Sequence, residues 1–251
     1  DCPADNQLGE PAGQVLHLWR EELASCYSAL IPTTRQGRNL KAVVAEFKLP
    51  RRPFDDLIDG VEMDTVARRY RTFDDLYEYC VRVASAVGLL CIEIFGYRDP
   101  QTRDYAIALG VALQLTNIIR DIPTDLQRGR LYLPTDDLER FGCSEEDLCH
   151  GASERVISLL HYECAQARLF YDKADALLPS VDRRRMVAAE IMGAIYFTIL
   201  KRIEGRDCDV FSSVVRVPRW RRVVIAGTVW LKTMVGITGV RGGKGGRDRQ
   251  V

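Results

Sequence analysis

The chain has 251 residues, 47% of them apolar and 28% charged, which suits one well-filled core and argues against general disorder. Lys plus Arg and Asp plus Glu both number 35, so no basic excess advertises a nucleic-acid partner and none is expected. Eight cysteines without any Cys-x-x-Cys, and three histidines out of register with them, exclude zinc-type spacing. Cys80, Cys91 and Cys164 fall in apolar helical stretches, so the cysteines read as reduced structural thiols of a cytoplasmic protein.

In chain order, a first helical pattern carries Leu16, Trp19, Leu23 and Leu30 between Pro11 and Pro32. A second covers 73–96, with Thr72 as N-cap, Asp75 as the partner of a weak capping box, and Gly96 and Pro100 closing it. A third covers 101–121. In 153–178, Leu160, Cys164, Ala167, Tyr171, Ala174 and Leu178 recur by fours and threes between Ser153 and Pro179. Residues 183–204 repeat the pattern through Met192, Ile195 and Ile199 and stop at Gly205. No run shows sustained period-two alternation and no fixed repeat is present. The expected fold is a single all-α domain of six to nine helices over 1–220.

Residues 221–240 form a C-terminal apolar helix, and 241–251 a disordered basic tail. The apolar segment reads first as a final bundle helix, second as a peripheral membrane contact at the inner face, and last as a span. Lys232 near its middle and three glycines weigh against spanning.

Chemistry concentrates in "NIIRDIPTDLQRGRLYLP", residues 117–134. Gln114, Asn117, Asp121 and Asp125 step by three, four and four, which places them on one helical face. Two carboxylates so spaced repel by roughly 0.2–0.5 kcal/mol when nothing lies between them. A hard divalent cation reverses that sign, because Mg²⁺ takes carboxylate oxygens and leaves room for substrate phosphates. Asn117 adds a neutral oxygen ligand, while Arg120 and Arg130 can grip phosphate oxygens in bidentate fashion. Taken alone, Asp-x-x-x-Asp is a common solvated helix end; the flanking Gln, Asn and Arg change that reading. Pro123 is expected to kink the helix and could move Asp125 off the face.

The helix over 73–96 offers the apolar stripe Tyr79, Val83, Val87 and Leu90 beside small Ala84, Ser85, Ala86 and Gly88. Small residues there serve close helix packing or the wall of a hydrocarbon channel. On the channel reading Val83, Ala84, Val87 and Gly88 touch the tail. Tyr79 at the mouth would face a developing carbocation, worth about 2 kcal/mol when desolvated.

"LIDGVEMD" (57–64), "RYRTFDDLYEYCVRVASAVGLL" (69–90), "QLTNIIRDIPTDLQRGRLYLP" (114–134) and "IMGAIYFTILKRI" (191–203) together resemble the successive signature blocks of squalene/phytoene synthases. The likeness is nearest to bacterial presqualene diphosphate/squalene synthases, with phytoene synthases next. The resemblance implies an all-α isoprenoid-synthase fold and 1′-to-1 condensation of two prenyl diphosphates, first two farnesyl diphosphates. It implies Mg²⁺ on Asp121, Asp125 and Asn117, and catalytic roles for Tyr79 and Arg120. Gln114 and Arg130 bind substrate. NADPH would be needed only where reduction to squalene follows. The family's first Asp-rich motif is expected upstream of Asp1, so the chain as given is expected to turn over weakly.

Two rivals stand beside this reading. A head-to-tail elongase would use Asp55 and Asp59 with Arg68 and Arg69, and a silent helical protein would bind prenyl lipid without metal.

Overall fold

A computed structural model describes residues 9–66 and 68–236. The described residues form eleven α-helices and no strand. They are α1 (Gly9–Cys26), α2 (Arg35–Phe47), α3 (Arg52–Met63), α4 (Phe73–Cys80), α5 (Ala86–Phe95), α6 (Thr102–Leu126), α7 (Thr135–Arg140), α8 (Glu145–His150), α9 (Glu154–Leu177), α10 (Val187–Glu204) and α11 (Arg219–Val235). The all-α class agrees with expectation. The count exceeds six to nine because short α7 and α8 have too few residues to show a period.

Helix α6 is the axis of the fold. It is apolar around most of its circumference, and such a helix must be enclosed. Helices α4, α5, α9 and α10 all pack on it. By length and composition α6 alone, among the described helices, could cross a membrane, yet most of it is buried in the core. Pro123 lies inside α6 without ending it, so the helix continues five residues past the expected 121. Asp125 therefore stays on the face of Asp121.

The segment read as one helix over 73–96 is interrupted. Its start is as expected: Thr72 Oγ1 accepts from the Asp75 amide at 3.2 Å, and Asp75 Oδ2 accepts from the Thr72 amide at 3.0 Å. Between α4 and α5, however, Val81–Ser85 forms a π-helical turn. It lies where this segment crosses α6. A Cβ on Gly110 would come within 2.6 Å of Ser85 Cα, so only glycine permits that approach. Ser85 Oγ donates to the Ile107 carbonyl at 2.9 Å across the crossing. π-Turns of this kind gather at functional sites.

Helix α9 starts at Ser153, whose hydroxyl accepts from the Val156 amide, as its sequence suggests. The first pattern is shorter than expected: α1 ends at Cys26, which leaves Leu30 outside it and exposed. Cys26, Cys80, Cys91, Cys143, Cys164 and Cys208 are free thiols. Cys149 departs from the all-reduced expectation, being disulfide-bonded. The 241–251 tail lies outside the described residues.

Candidate active site

Two cavities meet along α6. The first, of about 280 Å³, is lined by Tyr79, Gln114, Asn117, Ile118, Arg120, Asp121, Asp125, Tyr132 and Tyr196. The second, of about 400 Å³, is an apolar channel bounded by Val83, Ala84, Val87 and Gly88 from the π-turn and α5. Leu109, Gly110 and Leu113 of α6 form its next wall, and Ala188, Ala189 and Met192 of α10 another. Gln114, Asn117 and Tyr196 belong to both cavities. A polar chamber therefore opens directly into a hydrocarbon-sized channel, with an amide pair and a phenol at the junction.

The polar face of α6 is as expected, since all four of its residues reach the chamber. Burial, and next the negative charge of Asp121, push the Asp125 carboxyl up to about 6, while Arg130 and Arg128 oppose the shift. Two close carboxylates with one resisting ionisation are poised for a cation. The Asn117 Oδ1 atom is buried without a hydrogen-bond partner, so an acceptor on the same wall stands unsatisfied. Among the described residues no three His, Cys, Asp or Glu side chains cluster as a metal cage. The donor set is two carboxylates and one amide oxygen. It fits a Mg²⁺ ion that takes its remaining ligands from water and a diphosphate, and does not fit a closed protein-only site.

Arg120 is not a free phosphate clamp. Its Nε donates to Asp121 Oδ1 at 2.8 Å and a second nitrogen donates to Oδ2. This bidentate pairing holds the guanidinium firmly cationic at the chamber wall, and it fixes the carboxylate. Arg130 donates to the Asp64 carbonyl oxygen at 3.0 Å, which anchors the loop after α6 against the end of α3.

Tyr79 lines the polar chamber and is not among the residues that bound the channel, and its surroundings were missed. Its hydroxyl donates to Asp64 Oδ2 at 3.0 Å, and the Tyr132 hydroxyl donates to Asp64 Oδ1 at 2.9 Å. The Tyr79 ring lies 5.2 Å from that of Tyr132 and 5.4 Å from that of Tyr70. Burial, then the Asp64 charge, raise the Tyr79 phenol far above its ordinary value, so it stays protonated. Asp64, Tyr132 and Tyr196 come from three segments distant in sequence. No single window joins them, although each lies in one of the blocks quoted above.

Asp55 and Asp59 do not reach either cavity. Asp55 pairs with Arg51 at 3.1 Å, Asp59 with Arg20 at 2.7 Å, and Arg69 with Glu145 at 2.7 Å. Both carboxylates of the elongase constellation and its Arg69 are thus spent on ion pairs, while the Arg68 guanidinium lies 5.8 Å from the Tyr70 ring centroid.

The described residues thus form an all-α bundle with one acid-walled chamber and one apolar channel. Residues 1–221 match the squalene/phytoene synthase family model, and the chain belongs to that family. It is 36% identical to the phytoene synthase of Arthrospira platensis over 238 residues, covering 88% of this chain and 76% of that protein. It is 37% identical to the 15-cis-phytoene synthase of a Synechocystis species over 242 residues, covering 91% and 72%. Among solved structures, a ligand-bound dehydrosqualene synthase superimposes with a TM-score of 0.77 at 28% identity, covering 87% of this chain and 78% of that one. A squalene synthase from Alicyclobacillus acidocaldarius gives 0.71 at 30% identity, covering 81% and 79%.

Proposed function

We propose that this protein condenses two prenyl diphosphates head to head, and that its substrates are C20 chains. The observation that supports this reading is the junction of Gln114, Asn117 and Tyr196, where a polar chamber suited to an anionic headgroup joins an apolar channel suited to a long tail. The sequence relatives named phytoene synthase, at 36–37% identity, favour C20 over the C15 expected from the signature blocks. The structural likeness to dehydrosqualene and squalene synthases supports C15 as the second reading.

In this reading Asp121, Asp125 and Asn117 would hold Mg²⁺, which would supply charge neutralisation at the departing diphosphate. Arg120, fixed by Asp121, places positive charge beside the same oxygens without further reorganisation. The apolar walls exclude water from the allylic cation, which would otherwise be quenched to an alcohol. Tyr79, held by Asp64, lines the chamber where charge would develop. The second chain's double bond attacks, and loss of one proton closes a cyclopropylcarbinyl diphosphate. Loss of the second diphosphate, rearrangement of the resulting cation and loss of a second proton give a C40 hydrocarbon with a central conjugated triene and require no reductant; NADPH would enter only in the C15 reading that ends at squalene.

The test supplies the full-length protein and Mg²⁺ with geranylgeranyl or farnesyl diphosphate, with and without NADPH, and identifies products by mass spectrometry. A C40 hydrocarbon from the C20 substrate is the expected result. A C30 product from farnesyl diphosphate alone would move the assignment to the second reading. No condensation product from either substrate would remove the function altogether.

A further inference from the structure

Helix α11 is inverted relative to the other helices, because its most apolar face looks outward. Trp220, Val223, Val224, Trp230, Leu231 and Val235 are each more than half exposed. At 3.6 residues per turn they fall on one face of α11, in two groups separated by Gly227. The opposite side rests on α10 through buried Val229 and Thr233. The exposure therefore belongs to a docked helix in its packed position.

Charge along this stretch of the sequence is one-signed. No acidic residue occurs between Asp209 and the end of α11, while Arg216, Arg219, Arg221, Arg222 and Lys232 all do. In a chain with 35 charges of each sign, that asymmetry is local. Beside the stripe, α10 and α11 enclose a groove of about 190 Å³ floored by Phe197, Ile225 and Val229 and flanked by Lys201 and Lys232. Among the described residues neither lysine has an acidic partner. The Lys201 ammonium lies 5.0 Å from the Phe197 ring centroid.

From these features we infer that α11 docks the protein on an anionic phospholipid surface, with Trp220, Trp230 and the aliphatic stripe entering the headgroup boundary. Lys201 and Lys232 hold a lipid phosphate in the groove. Two tryptophans flanking an aliphatic band with arginines alongside is the composition of an interfacial helix. A nucleic acid would use the cations and leave the stripe in water. An acidic soluble protein would have no use for its depth. α10, which bears α11 on one side, gives Ala188, Ala189 and Met192 to the apolar channel on another, so the docking surface lies one helix from the tail site. The inference does not depend on which prenyl diphosphate is used.

The experiment is flotation of the full-length protein with vesicles of pure phosphatidylcholine or of phosphatidylcholine containing about 30% phosphatidylglycerol, over a salt series. Wild type is expected to float with the anionic vesicles at least tenfold more than with neutral ones, and to be released as salt rises. The double variant V223S/L231S, changed only at exposed positions, is expected to lose that binding at least tenfold, and K201Q/K232Q to lose its anionic preference. Independently of any variant's folding, brominated-acyl lipid should quench the Trp220 and Trp230 fluorescence in a Trp19→Phe background. Absence of wild-type flotation, binding undiminished in V223S/L231S, or unquenched tryptophans would each overturn the docking. Binding with no change in K201Q/K232Q would overturn the phosphate groove. Self-association by sedimentation that V223S/L231S abolishes, without vesicle binding, would assign the stripe to a second copy instead.

Discussion

The polar chamber and the apolar channel share α6, the α4–α5 segment and α10, but they differ in what their residues give up to be there. The chamber keeps two carboxylates close together, one of them resisting ionisation, and leaves the Asn117 oxygen unsatisfied. The channel keeps an empty volume where larger side chains would pack, using a π-turn and Gly88 and Gly110 to hold its walls apart or together. In the chamber the cost is electrostatic, and in the channel it is lost packing contact. Neither cost helps folding, so both regions mark where the fold gives up stability for a ligand.

The sharpest break of that comparison is Asp125→Asn. Removing this carboxyl should lower the condensation rate by roughly 10²–10³-fold, the scale seen when one group stabilising transition-state charge is lost. The same change relieves repulsion with Asp121, and it should raise stability by about 1 kcal/mol after discounting for partial exposure. Steady-state rates and thermal unfolding on one preparation check both. A rate loss accompanied by destabilisation would mean that Asp125 is structural.

The cost in the chamber is what made it legible. Gln, Asn and two Asp stepping along one face of a largely apolar helix have no packing explanation, so the sequence alone marks that face. Pro123 would be expected to break it, yet α6 runs through the proline, and Asp125 lines the chamber beside Asp121. Asp64, Tyr132 and Tyr196 were unreadable as a set, because the contacts joining them are tertiary. The channel was half legible: Ala84 and Gly88 suit tight packing as well as open space, and no local pattern announced the π-turn at Val81–Ser85. α11 was read as a bundle helix, and it does pack on α10. Which of its sides faces out could not be known without that partner.

Glu163 tests whether a buried carboxylate alone behaves like those of the chamber. It is enclosed on α9, lines neither cavity, and its Oε1 lacks a hydrogen-bond partner. Burial first, then the charge of Asp137, push its carboxyl from 4.5 up to about 8. The folded state thus holds a proton that the unfolded chain releases near 4.5. The stability this gives is complete below that pH and falls as pH rises toward 8. Up to about 3 kcal/mol should be lost between pH 4.5 and 7, at 1.36 kcal/mol per unit. Denaturant titrations across that range should show the slope in wild type and a flattened one in Glu163→Gln, with turnover unchanged. A marked activity loss in Glu163→Gln would show that the active region extends beyond the two cavities.

Asp64 tests the chamber's edge. Asp64→Asn removes a charged acceptor from two phenols, Tyr79 and Tyr132, and hydrogen bonds to charged groups contribute about 1.5–3 kcal/mol. Because Asp64 acts through the tyrosines, kcat should fall roughly ten- to a hundredfold while KM changes little. A change confined to KM would place Asp64 in substrate binding and away from the positioning of Tyr79.

The smallest effect probes the channel alone. Ala84→Phe adds a ring to the wall at the π-turn, at a position that lines the open volume. The chamber is untouched, so ionisation of the headgroup should proceed as before. What changes is the length of tail the channel accepts. A C20 chain should lose more than a C15 chain, shifting the ratio of their kcat/KM values by about tenfold, or about 1.4 kcal/mol, within the range expected when a hydrophobic pocket is resized. Competition between the two substrates in one reaction measures that ratio directly. Equal losses for both would mean that Ala84 is there for helix packing, and the tail would have to run along Ala188, Ala189 and Met192 of α10 instead.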